Sequence, residues 1–335
     1  MAKTKEFTPL TCTPVSLPAE HAIAAAEAAR RENPANHPPV EAMAMLSTRH
    51  EAPSRLEIAV ATAKYWRTNG VRLTVGFLDN PPLDLRAKIL SHMNAWGRSA
   101  NVQFTETATD PQVRIARGNG GYWSYLGTDL RLIDKTAPTM NLQAFTMNTP
   151  DSEFYRVVRH ETGHTLGCPH EHMRGDLVAL IDEAKAIAYY GASEGWTPDQ
   201  VRAQVLTPLD PSTIWGTAGS DRLSIMCYQI PGNLTKDGKP ILGGTDIDQL
   251  DYDFMAQVYP KAVAGQAASG STGRFSADAA EGWPSDAPPS THKRQQHAGH
   301  GCAIDVMLHG GNRLSVPAEA SEEQIRRVIA AMVWG

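Results

Sequence analysis

The stretch HETGHTLGCPHEH, residues 160–172, holds four of the chain's twelve histidines. Its spacing decides how the rest is read. On a helix, His160 and His164 lie four residues apart, so both rings leave the same face and can grip one ion. Neutral imidazole suits Zn²⁺, and a catalytic zinc takes three protein ligands and keeps one position open for water. The third ligand must then come from beyond the helix. Gly167 supplies the turn, because glycine tolerates positive φ at a helix end. Pro169 forbids continuation and pushes Cys168 toward extended geometry. His170 is thereby free to fold back onto the metal. Glu161, next to the first ligand, is placed to take a proton from a water whose pKa the metal lowers to about 7, and to return it to a leaving amine. At this chain's histidine and glycine frequencies, the full pattern arises by chance on the order of once in 10⁴ such chains. His172 falls outside the pattern, and an ordinary structural role is expected of it.

The remaining sequence frames this site. A chain of 335 residues, 41% hydrophobic and 20% charged, can bury a large core. Its net charge of −5 argues against a nucleic-acid or anionic-membrane surface. No apolar run reaches the roughly 18–20 residues that span a bilayer.

Four zones follow from composition. Residues 1–52 form an extension that includes a helix-forming stretch, PAEHAIAAAEAARREN (residues 18–33), broken by NPANHPP. Residues 53–262 carry most of the aromatics and the regular patterns. VRLTVGF (residues 71–77), VQFTE, QVRIAR and NLQAFTM read as strands. DLRAKILSHMNAW (84–96), DSEFYRVVRHETGHTL (151–166), VALIDEAKAIAYYG, TPDQVRAQVL and TDIDQLDYDFMAQVY (245–259) read as helices. Residues 263–300, rich in Gly, Ala, Ser and Pro, read as a flexible linker. Residues 301–335 read as a hairpin turning at Gly310-Gly311 and a capped helix. Strands and helices in this order make an α+β catalytic zone.

The series His160-Glu161-x-x-His164-x-x-Gly167-x-x-His170 resembles the extended zinc motif of metzincin metallopeptidases. SIMCY (residues 224–228) resembles the Met-turn of that clan, with Met226 as the apolar floor. Glu171 and Tyr228 make the likeness closest to the bacterial astacin-like branch. GYWSYLGTD (121–129), PTMNL (138–142) and the DQLDYDFMAQVYP ending extend it over residues 53–260. The resemblance implies a metzincin-type domain with a twisted mixed sheet, an active-site helix and a mainly helical C-terminal subdomain. It implies one catalytic Zn²⁺ on His160, His164 and His170, with Glu161 as general base. It implies that Tyr228 is a phenol that swings to stabilise the oxyanion. It implies that Gly121, Tyr122, Trp123, Ser124 and Tyr125 form an edge strand that pairs with an extended peptide. The expected partner is a peptide or protein substrate. The family setting is extracellular, whereas the first residues show no continuous apolar stretch of a secretory signal.

Several residues keep more than one reading. In the family, the glutamate after the third histidine anchors a mature N-terminus, so Glu171 is expected either to do so after cleavage near Lys64–Trp66 or to pair with Arg174. Cys168 and Cys227 can be free thiols, a disulfide or extra ligands. Cys12 can cap the zinc of a latent form by displacing water. The competing functions are a zinc hydrolase of other amides or esters, and a zinc-stabilised binding module without catalysis.

Overall fold

The computed structural model describes residues 12–13, 15–37, 62–209, 219–261, 303–307 and 313–317. The expectations for residues 38–61, for the linker 263–300, for the turn at Gly310-Gly311 and for a helix after residue 318 lie outside these residues.

Five strands make one mixed sheet: β1 (Val71–Phe77), β2 (Val102–Glu106), β3 (Val113–Ala116), β4 (Tyr122–Ser124) and β5 (Met140–Leu142). Their order is β2-β1-β3-β5-β4, parallel throughout except for β4, which runs antiparallel to β5 at the edge. Alternation in β1 sends Val71, Leu73 and Val75 into the core while Arg72 stays exposed. NLQAFTM yields only the short strand β5, because Ala144 turns the chain at φ 57°.

Helices cover the sheet. α1 (Ala22–Glu32) belongs to the N-terminal extension. α2 (Leu83–Met93) buries Leu85, Ile89 and Met93 at the expected helical spacing. α3, residues 151–165, is the histidine-bearing helix. A π turn over Phe154–Val158 interrupts it, which the sequence pattern did not indicate. Side chains take the carbonyls next to that turn: Thr162 Oγ1 donates to Val158 O at 2.6 Å, and Trp96 Nε1 to Arg159 O at 2.9 Å. α4 (Glu183–Ser193) starts at Asp182, whose side chain accepts from Lys185 N. α5 spans residues 198–206, with a capping box at Thr197 and Gln200. α6 (Gln249–Val258) opens with a second capping box, Asp248 and Asp251.

Two buried clusters hold these elements. The larger joins the sheet, α2, α3 and α6 around Trp96, Phe104, Phe145, Phe154 and Met255. The second gathers Leu177, Tyr190, Val205, Tyr228 and Ile230, and Cys12 lies in it. Separately, β6 (Ala303–Met307) and β7 (Arg313–Pro317) pair antiparallel as a hairpin. Among the described residues no helix is long and apolar enough to cross a membrane.

The N-terminal extension is packed on this domain. Ala25, Ala26 and Ala29 of α1 are buried, and their small side chains let α1 approach the 3₁₀ turn at Gly127–Leu132. Asn36 then grips the chain ahead of β1. It donates to Tyr65 O at 2.7 Å and accepts from Tyr65 N at 2.9 Å. Asn33 donates to Trp66 O at 2.7 Å.

Candidate metal centre

The last two turns of α3 carry His160, Glu161 and His164, all buried. Gly167 ends the helix at φ +100°, the left-handed turn that the sequence requires there. His170 follows in extended backbone, φ −69° and ψ 125°, and turns back on the first two rings. The Nε2 atom of His170 lies 3.3 Å from that of His160 and 3.0 Å from that of His164. A tetrahedral ion with nitrogen arms of about 2.0–2.1 Å sets its ligands about 3.3–3.4 Å apart, so the triplet has the size of a zinc site.

The outer nitrogens are also fixed. His160 Nδ1 is 2.6 Å from Ile225 O, and His164 Nδ1 is 2.8 Å from Cys168 O. Carbonyl partners there put the proton on Nδ1 and leave Nε2 free to bind metal. Burial lowers His160 and His170 well below the usual imidazole range, and lowers His164 to about 4. All three rings are therefore neutral, as ligands must be.

The Met-turn supports this triplet from below. Met226 Sδ sits so close to α3 that a Cβ on Gly163 would come within 2.3 Å of it. Gly163 is thus needed for close approach, a role its place between the ligands did not announce. Met226 O accepts from Glu171 N at 2.9 Å and ties the third ligand's segment to the turn. The turn hangs from Asp251 of α6, which accepts from Ser224 Oγ at 2.6 Å and from Ile225 N at 2.9 Å. Sequence reasoning missed Asp251; its visible signal was only a helix cap.

Glu161 has a different setting. Its Oε1 is buried without a hydrogen-bond partner among the described residues, and its Oε2 faces Cys12 Sγ at 3.7 Å. Burial lifts this carboxyl to about 8. Cys12 Sγ is 3.6 Å from His164 Nε2, and with the three histidines it completes a compact four-residue cluster. Cys168 and Cys227 are outside that cluster and are free thiols, so no disulfide joins them. Cys168 Sγ instead contacts Met255 Sδ at 3.6 Å.

Tyr228 is buried, its ring 4.5 Å from that of His170, and its hydroxyl donates to Cys12 O. His172, which falls outside the ligand pattern, is fully buried and stacks on this phenol, its ring 5.2 Å from that of His170. Its burial lowers it to about 3.

The edge strand lies above the cluster. Ser124 Oγ meets Thr165 Oγ1 of α3 at 3.0 Å and fixes β4 to the histidine helix. Gly121 N donates to Gln143 Oε1 at 2.7 Å, and Trp123 packs edge-on to Tyr125. Tyr122 forms a parallel bridge with Cys12, and Thr13 N donates to Tyr122 O at 2.8 Å. Glu171 points to the opposite side of His170. It accepts from Asp221 N at 2.9 Å, lies 3.5 Å from Arg174 Nε, and lines a small cavity with Tyr65, Asp221 and Asp251.

Comparison with known proteins adds three findings. Residues 60–187 match the model of the peptidase family described as Astacin. The zinc metalloproteinase nas-27 of Caenorhabditis elegans is 32% identical over 131 residues, which cover 38% of this chain and 28% of that protein. The chain thus spans under a third of that relative. A solved structure of myroilysin is 32% identical, with 60% of this chain and 97% of that chain covered and a TM-score of 0.56.

Proposed function

Since the chain belongs to the astacin family of zinc metallopeptidases, we propose that it is an endopeptidase whose centre is His160, His164, His170 and Glu161. One observation carries this reading: three neutral imidazoles converge beside a fully buried carboxyl group with an oxygen that no donor among the described residues satisfies. When bound there, zinc supplies Lewis-acid polarisation of a carbonyl and makes water acidic. Glu161 takes the proton from the attacking water and passes it to the departing amine, and its raised pKa suits that exchange near neutrality. The Tyr228 hydroxyl donates to the developing oxyanion. The outer edge of β4, Gly121 to Tyr125, pairs with an extended substrate backbone and favours a peptide over a small ester or amide. An orphaned acid of this kind has no use in a purely structural zinc module; the fourth group beside the imidazoles, Cys12, comes from the N-terminal extension, so the two readings part when it is replaced. Full-length protein freed of Cys12 by substitution should hold one zinc and cleave casein, and a chelator should abolish cleavage. Cleavage that survives chelation contradicts the assignment.

A second reading concerns the state of the chain. The segment at Cys12 meets all three working parts at once: its thiol joins the imidazoles, its carbonyl takes the Tyr228 hydroxyl, and Thr13 bonds to β4. This supports a latent form in which the N-terminal extension acts as a pro-segment. Cys12→Ser should raise the activity of the full-length chain about tenfold or more, since a thiolate on zinc excludes water. Unchanged activity removes this reading.

A further inference from the structure

Ser124 and Thr165 face each other between the edge strand and the histidine helix. Both side chains are buried, and their hydroxyl oxygens lie 3.0 Å apart. Two further contacts extend the pair. Ser124 Oγ is 3.0 Å from Tyr125 O, and Thr165 Oγ1 is 3.2 Å from Glu161 O, one turn back on α3. Run one way, Thr165 donates to Ser124 and Ser124 to the Tyr125 carbonyl. Run the other way, Ser124 donates to Thr165 and Thr165 to the Glu161 carbonyl. Each direction keeps strand and helix bonded. Packing alone does not ask for this, since an alanine and a valine would fill the contact with no hydroxyl to satisfy.

The backbone of β4 shows what the pair holds. Tyr125 N donates inward to Thr139 O, and Trp123, two residues back, takes the same inward position opposite Asn141 of β5. Tyr122 and Ser124 alternate with them, so their main-chain groups face the open edge. The bond from Thr13 N to Tyr122 O marks this edge as one that accepts an added strand. Ser124 therefore offers its main chain to an incoming strand while its side chain is tied to the part of α3 that carries Glu161 and His164. The start of β4 is held within the sheet, where Gln143 Oε1 accepts from Gly120 N and Gly121 N and Asn141 Nδ2 donates to Gly121 O. Among the described residues, the Ser124–Thr165 contact is the hydrogen bond that joins β4 to α3. The strand is three residues long and pairs with β5 on one side only, so its height over the helix depends on that tie. We propose that Ser124 and Thr165 form a positioning pair that fixes the edge of β4 over Glu161 and His164, so that an extended peptide paired with the Ser124 main chain reaches the metal centre in register.

This rests on the reading of β4 as the substrate edge, and the test keeps it apart from the peptidase reading. The parent is the full chain with Cys12→Gly and Thr13→Pro, which removes the thiol and the Thr13 N–H from the cleft. Zinc-loaded protein is titrated with a tetrapeptide hydroxamate, which can lie along β4, and with acetohydroxamate, which is too small to do so. The ratio of the two affinities is read, because any remaining occupancy of the cleft by the N-terminal extension weakens both alike. Thr165→Val should lower the ratio about tenfold, the size of one or two lost backbone hydrogen bonds, with acetohydroxamate affinity within about twofold of the parent. Ser124→Ala should match it, and the double variant should be no worse than either single one, since each removes the same tie. Thr165→Ser keeps the hydroxyl and should stay within about threefold of the parent. Zinc content and melting temperature are recorded for each protein, and Ser124→Ala carries the test if Thr165→Val does not fold. The kcat/KM for an octapeptide should follow the same order. A ratio unmoved within about twofold in the single variants, an equal fall for both probes, a loss of about 10²-fold in the double variant, or a Thr165→Ser protein that fails like Thr165→Val each overturns the proposal. If the parent does not cut the octapeptide, the peptidase reading fails, and the affinity ratio still decides whether the pair holds the strand.

Discussion

Two glutamates flank the third histidine, and their surroundings differ. Glu161 lies on the side of Cys12 and Tyr228, fully buried; among the described residues one oxygen is unanswered and the other faces only a thiol. Glu171 lies on the side of the Met-turn, where Asp221 N and Arg174 answer it. Burial raises both, to about 8 and about 7. A raised carboxyl alone therefore does not mark the reacting group. The distinguishing feature is whether the protein supplies the hydrogen bonds. Glu171, which ties loops together, has them; Glu161, the proposed base, lacks them on one oxygen among the described residues.

That contrast can be broken at several points. The largest effect is expected behind the Met-turn. Asp251→Ala leaves Ser224 Oγ and the Ile225 N–H buried without their acceptor, and should cost about 3 kcal/mol in unfolding experiments, with weakened zinc retention. A loss under about 0.5 kcal/mol would show that the turn does not depend on this carboxylate. On the other side, Tyr228→Phe removes the proposed oxyanion donor and should lower kcat about 10²-fold while leaving zinc content and melting temperature near the parent values. Gly163→Ala tests the packing between the two sides. The added methyl meets Met226, so it should destabilise the fold by about 1–2 kcal/mol even though alanine is the better helix former. A rise in melting temperature would contradict the close approach. The smallest effect belongs to Glu171→Gln, which keeps an acceptor for Asp221 N and should cost about 1 kcal/mol.

The convergence of the three histidines and the turn that brings in the third were legible because they depend on local spacing. Four residues make one helical turn, a glycine permits the left-handed exit, and a proline ends the helix. The strands around Val71 and Phe104 were legible for the same reason, while β5 came out shorter because a left-handed Ala144 carries no clear sequence mark. What the motif could not show were contacts made across long separations. Asp251 reaches the Met-turn 26 residues away, and Cys12 reaches Glu161 149 residues away. Each is a single side chain without periodicity, so no pattern announces it. Cys12 was foreseen only as one of several options, and Asp251 appeared only within the stretch read as the closing helix. His172 lies outside the four-residue cluster, and its burial against Tyr228 depends on segments thirty and more residues further along.

The comparison of the two glutamates reduces to one measurement. Glu161→Gln and Glu171→Gln, both in the Cys12→Ser background, are assayed side by side for zinc content and peptide turnover. With Glu161 as the base, Glu161→Gln retains one zinc per chain and loses turnover by about 10³-fold or more. Glu171→Gln retains both, within about threefold in rate. A Glu161→Gln protein that cleaves within tenfold of its parent, or a Glu171→Gln protein that fails as badly, would contradict the assignment of chemistry to the unanswered carboxylate.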